Sequence, residues 1–189
     1  MKKKFLLSIV AVTIFLQGCA GFRTEKFDLL KPWAKAKVGT RKIPIVYSVN
    51  FKSIINGKAT VLNKKSKKKV SGIIRQAMVD TGKFEINSPN PKFRLEFDII
   101  NHGKYSFPWS FVSGFTFGLI PARATDRFEI NLKVVNKKGS LVKTTKKEDK
   151  VDTWTQTLLI FATPFMWPFS QVDNAIYDTA RASLNSVFK

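Results

Sequence analysis

The sequence predicts an α+β fold: a two-layer sandwich, a mostly antiparallel sheet with two helices packed on one face. Three observations predict it. Residues 93–99 and 128–134 alternate apolar and polar side chains with period two, as half-buried strands do. Residues 66–81 and the carboxy-terminal stretch change to helical spacing. Asn56-Gly57 and Asn136-Lys137-Lys138-Gly139 punctuate the chain as turns.

The elements follow in order. Ile43, Ile45, Tyr47, Val49 and Phe51 alternate over one strand face. Val70, Ile73, Ile74, Ala77, Met78 and Thr81 make a helical stripe, with Ser66 as its N-cap and Gly82 as its C′ residue. A short strand spans Phe84–Ile86. In the next strand Phe93, Leu95, Phe97 and Ile99 point one way, and Arg94, Glu96 and Asp98 the other. Phe128, Ile130, Leu132 and Val134 repeat the pattern, and Leu141 to about Lys150 returns as the hairpin partner. Ser170 and Asp173 have capping-box spacing ahead of a stripe of Ile176, Ala180, Leu184 and Val187. No repeat of fixed period is present.

The amino terminus defines the domain plan: residues 1–18 a signal peptide, 19–40 a lipidated tether, 41–189 a single α+β domain. Lys2, Lys3 and Lys4 precede an apolar run from Phe5 to Leu16 that ends in Leu16-Gln17-Gly18-Cys19. A charged start, a short apolar stretch and small residues at the cut mark a secretory leader. The run is short of the about 20 apolar residues that span a bilayer. Cys19 is the one cysteine of the chain. Its setting resembles the lipobox of bacterial lipoproteins, with Gln17 a departure from the usual pattern. That resemblance implies a diacylglycerol thioether on Cys19, removal of the leader and acylation of the new terminus. Ala20 and Gly21, in place of an aspartate, imply the outer membrane, facing the periplasm.

The formal net charge is +20, of which the leader lysines supply three. Such a charge calls for an anionic neighbour. In an envelope the candidates are anionic lipid, lipopolysaccharide phosphates and peptidoglycan carboxylates; export argues against nucleic acid. Lys64, Lys65, Lys67, Lys68 and Lys69 sit where cations oppose the helix dipole. They read either as an anion contact or as a solvated helix entry, and the lysines of the 137–150 hairpin read the same two ways.

Two segments are free of charge, Tyr105–Ala122 and Thr153–Val172. In the first, Phe107, Trp109, Phe111, Phe115 and Phe117 fall on odd positions, with small residues between. A loop at Val112-Ser113-Gly114 would fold this alternation into a hairpin. The second carries Trp154, Phe165 and Trp167, with Pro164 and Pro168 forbidding one straight helix. Three readings stay open: domain core, a membrane-interface contact, or a transmembrane β-hairpin of an oligomeric pore. The contact reading takes Phe107, Trp109, Phe111, Phe115, Phe117, Trp154, Phe165 and Trp167 as membrane- or partner-facing.

The lipobox, the Gly114–Pro121 stretch, the strand and Asn-Lys-Lys-Gly turn after it and the Trp154–Phe169 segment resemble a group of uncharacterised Gram-negative lipoproteins. The element order is also similar to curli-secretion-channel lipoproteins and to lipoprotein activators of peptidoglycan synthases. Likeness of element order implies fold, not function.

Catalytic chemistry has little to work with. His102 is the only histidine, and with Cys19 assigned to lipid no zinc ligand set exists. No Gly-x-Ser-x-Gly elbow or phosphate-cradling loop is present. Glu96 and Asp98 share a wet strand face beside Arg94 and read as solvating groups rather than a glycosidase pair. The expectation is a lipid-anchored, periplasm-facing protein without catalytic residues, metal or cofactor. It would work by binding membrane or an envelope protein partner. An oligomeric channel component is the alternative, and a peptidoglycan- or lipid-modifying enzyme a weaker one.

Overall fold

The computed structural model describes residues 18–24, 41–116, 118–156, 159, 161, 164–165 and 167–188. The leader up to Gln17, the tether from residue 25 to residue 40, and Phe117 lie outside the described residues. The order is β1 (Gly18–Arg23), β2 (Ile43–Ile55), β3 (Lys58–Thr60), α1 (Lys64–Thr81), β4 (Phe84–Ile86), β5 (Phe93–Tyr105), α2 (Phe107–Phe115), β6 (Ala122–Asn136), β7 (Leu141–Gln156) and α3 (Pro168–Val187). One seven-stranded sheet runs β1-β7-β6-β5-β2-β3, with β4 pairing β2.

The α+β class holds, but the sheet is mixed. β5 pairs antiparallel with β6, and β6 with β7, while β2 runs parallel to both β4 and β5. The helix between β2 and β5 supplies the crossover that parallel neighbours require. Alternation of wet and buried positions cannot distinguish these pairings, because a parallel strand with one exposed face alternates too. Alternate positions of the central strands (Leu95, Phe97, Ile99, Phe128, Ile130, Leu132, Val134) join Val70, Ile74, Ala77 and Met78 of α1 in one core. Ala175, Ile176, Ala180 and Leu184 of α3 complete it.

Four local expectations change. First, the amide of Ser66 donates to Asn63 Oδ1 at 2.8 Å, so Asn63 rather than Ser66 caps α1. Gly82 ends that helix as expected, at φ 68. Second, the hairpin read into residues 105–119 is a helix. Ser106 caps α2 and Pro108 stands in its first turn, where a missing N–H costs nothing. Phe107, Phe111 and Phe115 fit period two and the four-residue helical repeat equally, so the alternation misled. Third, α3 starts at Pro168 and not at Ser170, whose hydroxyl instead donates to the Trp167 carbonyl.

Fourth, the segment read as a tether opens with a strand. β7 extends past Lys150 to Gln156, and β1 pairs along that extension, Cys19 opposite Thr155 and Arg23 opposite Val151. Gly21 lets β1 lie close to α3: a Cβ there would stand 3.0 Å from the Pro168 Cα. Behind it the Arg23 guanidinium is buried between Asp149 of β7 and Asp178 of α3. Nε lies 2.9 Å from Asp149 Oδ2 and Nη1 2.7 Å from Asp178 Oδ2.

Candidate functional site

The register puts five chain ends at one end of the sheet. Gly18 pairs Gln156, Ala122 pairs Thr155, Tyr105 pairs Ala124 and Ile55 pairs Gly103. The start of β1, the end of β7, the start of β6, and the ends of β5 and β2 therefore lie together. The connections that leave these strands start there: α2 after β5, the chain that follows Gln156 of β7, and the Asn56-Gly57 turn after β2. The second turns of α1 and α3 meet nearby, where Lys69 Nζ lies 2.8 Å from Asp173 Oδ1.

This end is apolar and uncovered. Phe107, Trp109, Phe111 and Phe115 of α2 are exposed, Phe115 at 78%. Phe111 and Phe115 stack with ring centres 6.5 Å apart, as side chains one helical turn apart do. Trp109 also anchors the helix, its indole N–H donating to the Pro121 carbonyl at 3.0 Å. Beyond β7, Phe161 and Phe165 are exposed at 81% and 83%, and Trp167 and Phe169 are exposed too. A domain core containing these rings is therefore overturned, because none of them belongs to the buried cluster of strand, α1 and α3 residues. Among the described contact residues Trp154 alone departs from the group, and Phe117 lies outside the described residues. Trp154 is half-buried on β7, beneath the Arg123 guanidinium at 5.3 Å.

Cys19 is half-buried at the same end, with Sγ 3.6 Å from Thr155 Oγ1. Lys64, Lys65, Lys67 and Lys68 are exposed in the first turns of α1, and Lys69 pairs with Asp173. No acidic residue occupies that first turn. The lysines thus border the aromatic end from the side of α1.

A basic groove missed by sequence reasoning opens on the wet face of the sheet at this end. Its volume is about 640 Å³, its cations are Lys104, Arg123, Arg127 and Lys150, and His102 also lines it. The turn that walls it is fixed: Asn56 Nδ2 donates to the Tyr105 carbonyl at 2.9 Å and the Tyr105 N–H returns to Asn56 Oδ1 at 3.1 Å. Asp152 lies beside the groove. Burial opposes its ionisation, but hydrogen bonds from Arg123, Thr125 and Lys150 outweigh that and hold its carboxyl below the ordinary range. Farther along the same face, the hydrogen bond from Lys146 lowers Glu129, and Glu129 raises Lys146. The signal for the groove was in the sequence as same-parity basic residues on three strands. It required the register to read.

His102 lines this groove. Among the described residues no group of three or more histidine, cysteine, aspartate or glutamate side chains is placed to hold a metal. No helix among them is long and apolar enough to cross a membrane.

The class these features define is an α+β domain with a mixed seven-stranded sheet and an aromatic, basic end. No protein-family model matches the chain, and no curated protein matches it. Among solved structures, a variant PelC dodecamer from Paraburkholderia phytofirmans is similar over 88% of this chain and 94% of that one, with 9% identity and a TM-score of 0.39. A PDZ domain protein from Parabacteroides distasonis is similar over 97% of this chain and 40% of that one, with 8% identity and a TM-score of 0.32. Likenesses at this level carry no functional inference.

Proposed function

We propose that this chain is a lipid-anchored protein of the outer membrane, facing the periplasm. On this reading it acts by binding, with its aromatic end seated in the bilayer interface. Cys19 is the acylated residue. The observation that carries the reading is the convergence of Cys19, α2 and the exposed rings of residues 161–169 at one end of the sheet. β1 begins one residue before Cys19, so acyl chains there would hold that end directly against lipid. Aromatic rings favour the interface, and lysines flanking them meet headgroups. Exposed apolar surface on this scale marks an interaction site in proteins generally. A pore built from a 105–119 hairpin has lost its strands to α2.

The test is vesicle flotation of the chain from residue 19 with Cys19→Ala, which removes the covalent anchor. The protein should float with phosphatidylcholine vesicles. The triple variant Phe107→Ser, Phe111→Ser, Phe115→Ser should lose at least about tenfold in partitioning, since each partly buried ring contributes on the order of 1 kcal/mol. Equal partitioning of both proteins, with circular dichroism unchanged, would refute the interfacial role of α2.

A further inference from the structure

We propose that the groove lined by Lys104, Arg123, Arg127 and Lys150 binds a phosphate-bearing headgroup. It rests on the interfacial reading for the orientation of the molecule, and adds a defined anion site to it.

The argument begins with the register. His102, Arg127 and Lys150 stand directly opposite one another on β5, β6 and β7. Arg127 opposite Lys150 is a like-charge pair, an arrangement that destabilises a sheet. The rows farther down the face balance differently. Glu129 and Glu148 are also opposite, but Lys146 bridges them at 2.8 and 3.2 Å. Lys133 meets Asp98 at 3.3 Å. In the groove the one nearby carboxylate is already saturated. Asp152 takes both Arg123 Nε and Nη2, Thr125 Oγ1 and Lys150 Nζ, four donors for about four acceptor sites. Asp126 lies on the opposite face and accepts from Asn101 at 2.8 Å. Lys104 and Arg127 have no carboxylate partner among the described residues, and no carboxylate lines the groove.

The cationic groups fall within roughly 10 by 14 Å, given strand and residue spacings. That compactness suits a phosphate, which presents several acceptor oxygens around one centre and takes planar guanidinium donors two at a time. The walls contribute neutral donors as well, in Ser106 and Tyr105. Ser106 is also the N-cap of α2, so the groove opens immediately beside the exposed rings. A lipid whose acyl chains lie against those rings brings its phosphate to this level. The same chemistry has a second source in a soluble phosphate ester.

The experiment uses the chain from residue 19 with Cys19→Ala and compares phosphatidylcholine vesicles with vesicles doped with phosphatidylglycerol. The anionic lipid should strengthen partitioning of the parent. The variant Lys104→Gln, Arg127→Gln should lose roughly 20-fold of that gain, about fivefold per cation, while its partitioning to phosphatidylcholine is unchanged. Lys137→Gln, Lys138→Gln, exposed in the turn at the opposite end of the sheet, serves as the control for general charge loss. In a parallel arm glycerol 3-phosphate is titrated while the backbone amides of Lys104, Thr125 and Arg127 are followed by NMR. Shifts confined to the groove support the site with a soluble ester as its source. A phosphatidylglycerol gain without such shifts supports it with lipid as the source. Groove shifts without any flotation would uphold the site while refuting the interfacial reading. The proposal falls if the groove variant loses no more than the control and no groove amide moves. It also falls if a uronate oligosaccharide, and not the phosphate ester, gives the shifts.

Discussion

At Arg23 one guanidinium joins three elements that are distant in sequence. It leaves β1, reaches Asp149 on β7, and reaches Asp178 on α3, with all three side chains nearly or fully buried. Bringing such charges out of water is costly, and pairing offsets the cost only while both signs are present. Arg23→Ala therefore removes more than an ion pair, because it leaves two interior carboxylates without their shared cation. Urea denaturation should show a loss of about 3–5 kcal/mol. Lys69→Ala, which breaks the exposed pair with Asp173, should cost less than about 1 kcal/mol. A small effect at Arg23 would mean that β1 is not held by this contact. None of this was legible in sequence, where Arg23 stands in an ordinary polar context and its partners lie more than a hundred positions away.

Elements divide by how local their cause is. α1, β5, β6 and the turn between β6 and β7 were legible because their periodicity and turn residues act within a few positions. Asn136 shows this well, with Oδ1 accepting from the amides of Lys138 and Ser140. α2 was misread because its rings satisfy two periods, and the deciding cap at Ser106 is a single residue. β1 was missed because a six-residue strand of mostly small residues has no pattern until β7 offers it an edge. Two glycines make the contrast testable. Gly72 lies exposed within α1, where an added Cβ meets nothing within 4 Å. Gly72→Ala should stabilise the domain by roughly 0.5–1 kcal/mol through helix propensity alone. Gly21→Val should destabilise by about 1–3 kcal/mol, because its Cβ meets the backbone of α3 and pushes the strand away. Thermal or urea denaturation of the two variants should give opposite signs. The same sign for both would show that β1 does not dock as described.

For the whole molecule the consequence of the strand register is polarity. The exposed rings, Cys19, the α1 lysines and the basic groove occupy one end of the sheet, while the Asn136–Gly139 turn marks the other. Along β7, 16 residues long, the two ends lie roughly 50 Å apart at about 3.3 Å per residue, which exceeds the hydrocarbon thickness of a bilayer. A molecule standing upright on the membrane seats only one end in the interface, and the aromatic one is favoured by burial of its rings. Tryptophan fluorescence reports this directly. Single-tryptophan chains that keep Trp109 or Trp167 should be quenched by phosphatidylcholine brominated on its acyl chains. A chain without native tryptophans but carrying Val142→Trp, at an exposed position beside the far turn, should not be. Both outcomes must hold in the same vesicles, since quenching at 142 as well as 109 would indicate a molecule lying flat along the membrane. Quenching at 142 alone would invert the orientation, and the aromatic end would then be free to face a protein partner in the periplasm.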